Sequence, residues 1–161
     1  MQKPHPVEDA AQPAVHAVSP HLVVRGAAEA IDFYRRALGA TELVRLPGPG
    51  GTVMHACLSI NGSSVMLADE MPEMCVDQAP LAGRSPVSIH LVVDDADGWC
   101  ARAAAAGATV VMPVEEQFWG DRFGMIEDPF GHRWSFGAPV RTLTAGELEE
   151  AARRVAASLE A

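Results

Sequence analysis

Cysteine is scarce in this chain. There are three among 161 residues, Cys57, Cys75 and Cys100, and no two stand in a C-x-x-C spacing. An odd, sparse set excludes a disulfide framework and reads as free thiols in a reducing compartment, so the expected location is cytoplasmic. Positive charge is also short. Lys and Arg number 12 against 21 Asp and Glu, a net charge of −9. That balance argues against nucleic acid or an anionic membrane as partner and favours a neutral or cationic ligand. No apolar run approaches the length of a membrane span. The opening MQKPHPVEDAAQPAV has proline and charge but no apolar core, so it is not read as a signal peptide. What remains is ordinary for a globular chain, 48% hydrophobic and 20% charged.

What is present is a repeat. HLVV occurs at His21–Val24 and again at His90–Val93, a period of about 69 residues. Gly39-Ala40-Thr41 follows the first copy and Gly107-Ala108-Thr109 the second. Turn signals come next in the same order, Asn61-Gly62 and Asp128-Pro129-Phe130-Gly131. The β-branched HLVV segments read as strands. In AAEAIDFYRRALGA, Ala27, Ala30, Ile31, Tyr34 and Leu38 share one helical face, and Gly39 stops the helix. DADGWCARAAAAGA repeats the plan, with Asp94 or Asp95 as N-cap and Gly107 after the C-terminus. Three further strands follow each helix. The unit is β-α-β-β-β, twice.

The expected organisation is a flexible tail over residues 1–15, a first module over 16–70, a linker over 71–85, a second module over 86–138 and a C-terminal helical segment over 139–161. In that last segment Thr144 and Glu147 form a capping box, and Leu148, Ala152, Val155 and Leu159 an apolar stripe that packs on a module or on a partner chain.

AIDFYRRALGA, FWGDRFG and DPFGHRW, set within tandem β-α-β-β-β units, resemble the vicinal oxygen chelate superfamily of glyoxalases, bleomycin-resistance proteins and dioxygenases, with the nearest likeness to its PhnB-like branch. The resemblance covers roughly residues 16 to 138 and implies an α+β fold in which two βαβββ modules form a shared curved sheet around a cavity, plus a C-terminal helix. It also implies a homodimer, with the linker allowing modules to exchange between chains. One fold of this kind hosts many chemistries.

Strand parity selects the residues that face the cavity. Leu22 and Val24 go under the helix, leaving Ser19, His21 and Val23 facing in. Ile89, Leu91 and Val93 go under the second helix, leaving Ser88, His90 and Val92. Trp134 and Phe136 read as core, so Arg133 and Ser135 point inward. His55 either lines the cavity beside Cys57 or is a half-exposed strand histidine. His5 and His16 lie in or near the tail and His132 follows a turn; none is assigned a role.

Metal-dependent members of the family carry a histidine on each first strand and a carboxylate on each fourth strand. Matched by motif, those places hold Ser19, Leu67, Ser88 and Ser135 here, without an imidazole or carboxylate. The expectation is no metal and no cofactor. A rival arrangement, shifted by two residues, would gather His21, Asp69 and His90. In QFWGDRFG, Gly120 and Gly124 loosen the chain, and Phe118 and Trp119 form an aromatic wall or lid, with Arg122 orienting a ligand or tied up in an ion pair.

The expected ligand-binding set is therefore His21, His55, His90, Phe118, Trp119, Arg122 and Ser135. The expected function is metal-independent binding of a small aromatic or cationic molecule in the inter-module cavity. The alternatives are a lyase or isomerase using a cavity histidine as general base, or a metal-dependent glyoxalase-like enzyme at the displaced site.

Overall fold

The computed structural model describes residues 15–74, 79–80 and 85–160. Residues 1–14 of the expected tail and most of the linker, with His5 and Cys75, lie outside the described residues. Each module runs strand, helix, three strands. The first holds β1 (His21–Val24), α1 (Ala27–Leu38), β2 (Thr41–Pro47), β3 (Val53–Ile60) and β4 (Ser63–Asp69). The second holds β5 (Ser88–Val92), α2 (Ala96–Ala106), β6 (Thr109–Glu116), β7 (Asp121–Glu127) and β8 (Arg133–Pro139), and α3 (Ala145–Leu159) follows. The sheet orders are β1-β4-β3-β2 and β5-β8-β7-β6. In each the first strand pairs parallel with the fourth and the other pairs are antiparallel. This is the tandem α+β architecture expected.

Local chemistry accounts for the helix ends. Gly39 sits at φ 63° and donates its N–H to the Tyr34 carbonyl, a left-handed stop that glycine adopts without steric cost. Asp95 caps α2, accepting from the Gly98 N–H at 2.9 Å. At the start of α1 stands Gly26, which has no capping side chain. Asp69 at the end of β4 does that work instead. Its carboxylate accepts from the N–H groups of Gly26 (3.0 Å), Ala27 (2.8 Å) and Val53 (2.7 Å). A carboxylate at a helix N-terminus also complements the helix dipole.

One buried cluster serves both modules. It includes Leu22, Val24, Ile31, Tyr34, Leu38, Leu58 and Leu67 from the first, and Leu91, Cys100, Ile126, Trp134 and Phe136 from the second. Burial of Phe33 and Ala37 in addition to the predicted stripe widens the apolar face of α1. The widened face meets the second module, where the Phe33 ring lies 6.0 Å from Phe130, and Tyr34 donates to Asp128 at 2.6 Å with its ring 5.4 Å from Trp134. Asp128, 3% exposed, also accepts from the Trp134 indole and from the N–H groups of Phe130 and His132. Four donors satisfy a carboxylate that would otherwise be costly to bury.

Between the modules the two HLVV strands keep separate ladders. They are bridged reciprocally. The hairpin-turn residue Asn61 donates its side-chain N–H to the Val92 carbonyl at 2.8 Å. His132, after the matching turn of the second module, places Nε2 3.0 Å from the Val23 carbonyl. A carbonyl only accepts, so Nε2 carries the proton. Val23 and Val92 each stand two residues beyond a repeated histidine, so the two bridges are related by the duplication. His132, unassigned from sequence, thus joins the modules.

Candidate functional site

In both sheets one face is committed to the shared core, so the opposite faces point away from it. The second of these carries a connected aromatic row. His90 on β5 and Ser135 on β8 are register partners, and His90 Nδ1 lies 2.9 Å from Ser135 Oγ. Ser135 is 2% exposed, so it fixes one edge of an imidazole that itself remains exposed. Phe123 on β7 stacks on that imidazole, with ring centroids 5.8 Å apart and planes 22° apart. Trp119 meets Phe123 edge-on at 5.3 Å and Phe118 meets Trp119 edge-on at 5.1 Å. Such edge-to-face and stacked geometries are those aromatic rings prefer.

Two glycines make the row possible. Gly120, at φ 101°, turns the chain between Trp119 and β7, and a Cβ there would sit 2.4 Å from the Arg141 carbonyl oxygen. Gly137 lies beneath His90. A Cβ there would come 2.8 Å from His90 Cε1 and 3.4 Å from Asp121 Oδ2. The imidazole therefore rests against bare backbone, with the Asp121 carboxylate nearby. The face offers stacking surface, one oriented imidazole and one acidic group.

The first sheet carries a different group. His21 and His55 lie 5.9 Å apart, tilted by 55°. Burial, and secondarily the neighbouring His55, lowers the pKa of His21 from its ordinary 6.5. Ser64 bonds to Ser19 and to His16, whose Nδ1 accepts the Ser64 N–H at 3.1 Å, so His16 closes the end of this face. Between the modules lies a cleft of about 250 Å³, lined by Pro20, His21, Leu22, Ser85, Val87, Ile89 and His132.

Of the sequence-predicted residues, the structure brings His90, Ser135, Phe118 and Trp119 into one group and His21 and His55 into another. Arg122 joins neither. It makes a bidentate ion pair with Asp97 in the first turn of α2, at 2.7 and 2.8 Å. On β7, Arg122 alternates with Phe123 and shares its side with the buried Ile126, so it points toward the helix. Phe123 was missed. The signal for it was Ile126: assigning that residue to the core puts Phe123 on the opposite, open face.

The structure does not bring the displaced set His21, Asp69 and His90 together. Asp69 pairs in register with Val24, a core residue, and its carboxylate is committed to three backbone donors on the helix side. His21 and His90 face the other way. The match at Leu67 is also corrected. Leu67 pairs with Leu22 and is fully buried in the core. The residue equivalent to Ser135 is Met66, the register partner of His21. The family's metal positions then hold Ser19, Met66, Ser88 and Ser135. Hydroxyls and a thioether do not fit an octahedral divalent ion that needs imidazole and carboxylate donors. Among the described residues no three His, Cys, Asp or Glu side chains converge as a ligand set. Nor is any described helix long and apolar enough to cross a membrane.

Comparison with known proteins agrees with this architecture. Residues 14–136 match the model of the Glyoxalase/Bleomycin resistance protein/Dioxygenase superfamily. The uncharacterised protein Rv0887c of Mycobacterium tuberculosis is 54% identical over 138 residues, covering 84% of this chain and 81% of that one. The crystal structure of TioX from Micromonospora sp. ML1 is 28% identical with a TM-score of 0.61, over 76% of this chain and 97% of TioX. TnmS3, described as an antibiotic binding protein from Streptomyces sp. CB03234, is 28% identical with a TM-score of 0.57, over 79% of this chain and 98% of its own. Duplicated βαβββ modules, one shared core and a matched span covering most of the residues lead to one conclusion: the chain belongs to the Glyoxalase/Bleomycin resistance protein/Dioxygenase superfamily.

Proposed function

We propose that this protein binds a small aromatic or cationic molecule on the open face of its second sheet, without a metal. The observation that carries the reading is the continuous row Phe118–Trp119–Phe123–His90, with the imidazole oriented by a buried serine. Flat rings stack on flat rings, and an oriented imidazole supplies the directional contact. Asp121 and the net charge of −9 favour a neutral or cationic ligand over an anion. The likeness to TnmS3 supports a binding role and, with it, a place in antibiotic resistance. The same reading takes the protein as a cytoplasmic homodimer, in which a second copy faces the open sheet and encloses the ligand. A thermal-shift screen of planar aromatic compounds, followed by mass spectrometry of the hits after incubation, tests it. Recovery of the bound compound unchanged is expected.

A second reading has one specific observation behind it. With Nδ1 engaged by Ser135, Nε2 of His90 is the nitrogen left for proton transfer. Conversion of a hit into a new species, abolished by His90→Ala, would replace the binding reading with a lyase or isomerase.

A further inference from the structure

The helix α3 lies beyond the residues matched to the superfamily. Its local sequence specifies it well. Thr144 and Glu147 form a complete capping box, and Glu150 pairs with Arg153 and Arg154. Yet none of its 15 residues is buried. Leu148, Val155 and Leu159 are 39%, 37% and 82% exposed. A helix of this length is marginal alone, and helices in proteins draw most of their stability from packing an apolar face. The side turned to the body carries Glu147, Glu150, Ala151 and Arg154, which with Phe118 and Leu143 border an open space of about 620 Å³. At about 100° per residue, the stripe Leu148–Ala152–Val155–Leu159 points roughly a third of a turn away from that side, with Val155 on the border.

We infer that the stripe of α3 packs antiparallel on α3 of a second copy of this chain, an inference that rests on the homodimer reading. The sequence of the helix is self-complementary in that direction. Its first half is acidic, with Glu147, Glu149 and Glu150, and the next turn is basic, with Arg153 and Arg154. In one antiparallel register Leu148 lies opposite the partner's Val155, and Ala152 opposite the partner's Ala151. The same register brings Glu149 near the partner's Arg153, because the two share one flank of the stripe and an antiparallel pair sets like flank beside like flank. Leu159 then reaches the partner's Leu143. Glu149 has no ion-pair partner of its own among the described residues. A parallel pair would instead oppose acid to acid and align the helix dipoles. The alanines beside the stripe let the two backbones approach closely. One helix pair covers on the order of several hundred Å², less than the roughly 1,200 Å² of a stable interface, so α3 strengthens contact made elsewhere by the modules. Phe118 borders the space behind α3 and also ends the aromatic row, so pairing of α3 sets one wall of the ligand face.

Sedimentation equilibrium of the full chain and of Leu148→Glu/Val155→Glu measures the pairing, and circular dichroism checks that the variant keeps its fold. A rise in the dimer Kd of at least about tenfold is expected, since the variant sets charges in an apolar seam. A short bis-maleimide then reads the orientation. Mixed Ala145→Cys and Ala156→Cys chains should crosslink, whereas neither variant alone, nor the parent with its own cysteines, should do so. An unchanged Kd in the folded variant, as when a segment of the same chain covers the stripe, overturns the α3 inference and leaves the homodimer standing. A monomeric parent at every concentration overturns both. Crosslinking of Ala145→Cys to itself overturns the antiparallel register.

Discussion

Gly137→Ala is a steric probe of the oriented imidazole. The added methyl would stand 2.8 Å from His90 Cε1 and 3.0 Å from Nε2, against an ordinary carbon contact of about 3.5–4.0 Å. The ring must retreat by roughly 1 Å. His90 is an exposed side chain, so the ring rather than the strand gives way. A retreat of that size breaks the 2.9 Å bond to Ser135, worth about 1 kcal/mol, and disturbs the stack on Phe123. Against this loss stands a gain of about 0.4–1 kcal/mol, because alanine restricts the unfolded chain and Gly137 has no left-handed φ to preserve. The two nearly cancel, so the melting temperature should hardly move while the ring is displaced. Long-range nitrogen NMR of the imidazole, with nuclear Overhauser contacts to Phe123, reads the ring directly. Affinity for any hit from the screen should fall about fivefold, the equivalent of one hydrogen bond. Unchanged His90 nitrogen shifts and intact contacts to Phe123 would refute the reasoning, as would a large loss of stability.

Asp69→Ala should destabilise the fold by about 3–5 kcal/mol, because three backbone donors lose their acceptor and α1 loses its cap; a urea melt near the parent's midpoint would contradict the capping role. Asp128→Ala should cost a similar ~3–5 kcal/mol, since it strands Tyr34 and the Trp134 indole inside the core, again read by urea denaturation. The lowered pKa of His21 has a definite sign. Its contribution to stability is fully present above the unfolded value of 6.5 and is lost as pH falls through the lower folded value. Urea midpoints of the parent should therefore decline over that acidic range, and His21→Asn should flatten the decline; parallel curves would remove His21 as the source.

The duplication was legible because its signals are local. β-branched HLVV strands, helix-stopping Gly39 and Gly107 and the Asn61-Gly62 hairpin each act within a few residues. The α1 stripe and the burial of Trp134 and Phe136 followed from periodicity alone. Where the sequence misled, the deciding contact was distant. In β4 the run Val65-Met66-Leu67-Ala68 is apolar at every position, so alternation cannot tell its faces apart. Only pairing with β1 sets Met66 beside His21. Asp69 reads as a polar strand end, yet its partners lie on the far side of the helix crossover and on β3. For Arg122 and Phe123 the parity of Ile126 held the signal, and the ion pair with Asp97 on α2 fixes Arg122 on the helix side. For α3 the capping box was local and clear, but the structure gives the stripe no cover within the described chain.

The central claim is that the open face of the second sheet holds the ligand. Isothermal titration of the strongest hit from the aromatic screen into the parent, Trp119→Ala, Phe123→Ala and His55→Ala tests it most directly. Loss of a stacked ring should cost about 1–3 kcal/mol, roughly five- to 150-fold in affinity, for Trp119→Ala and Phe123→Ala. His55→Ala, on the other sheet, should weaken binding less than either. Full affinity in both ring variants, with loss confined to His55→Ala, would move the site to the first sheet and contradict the account.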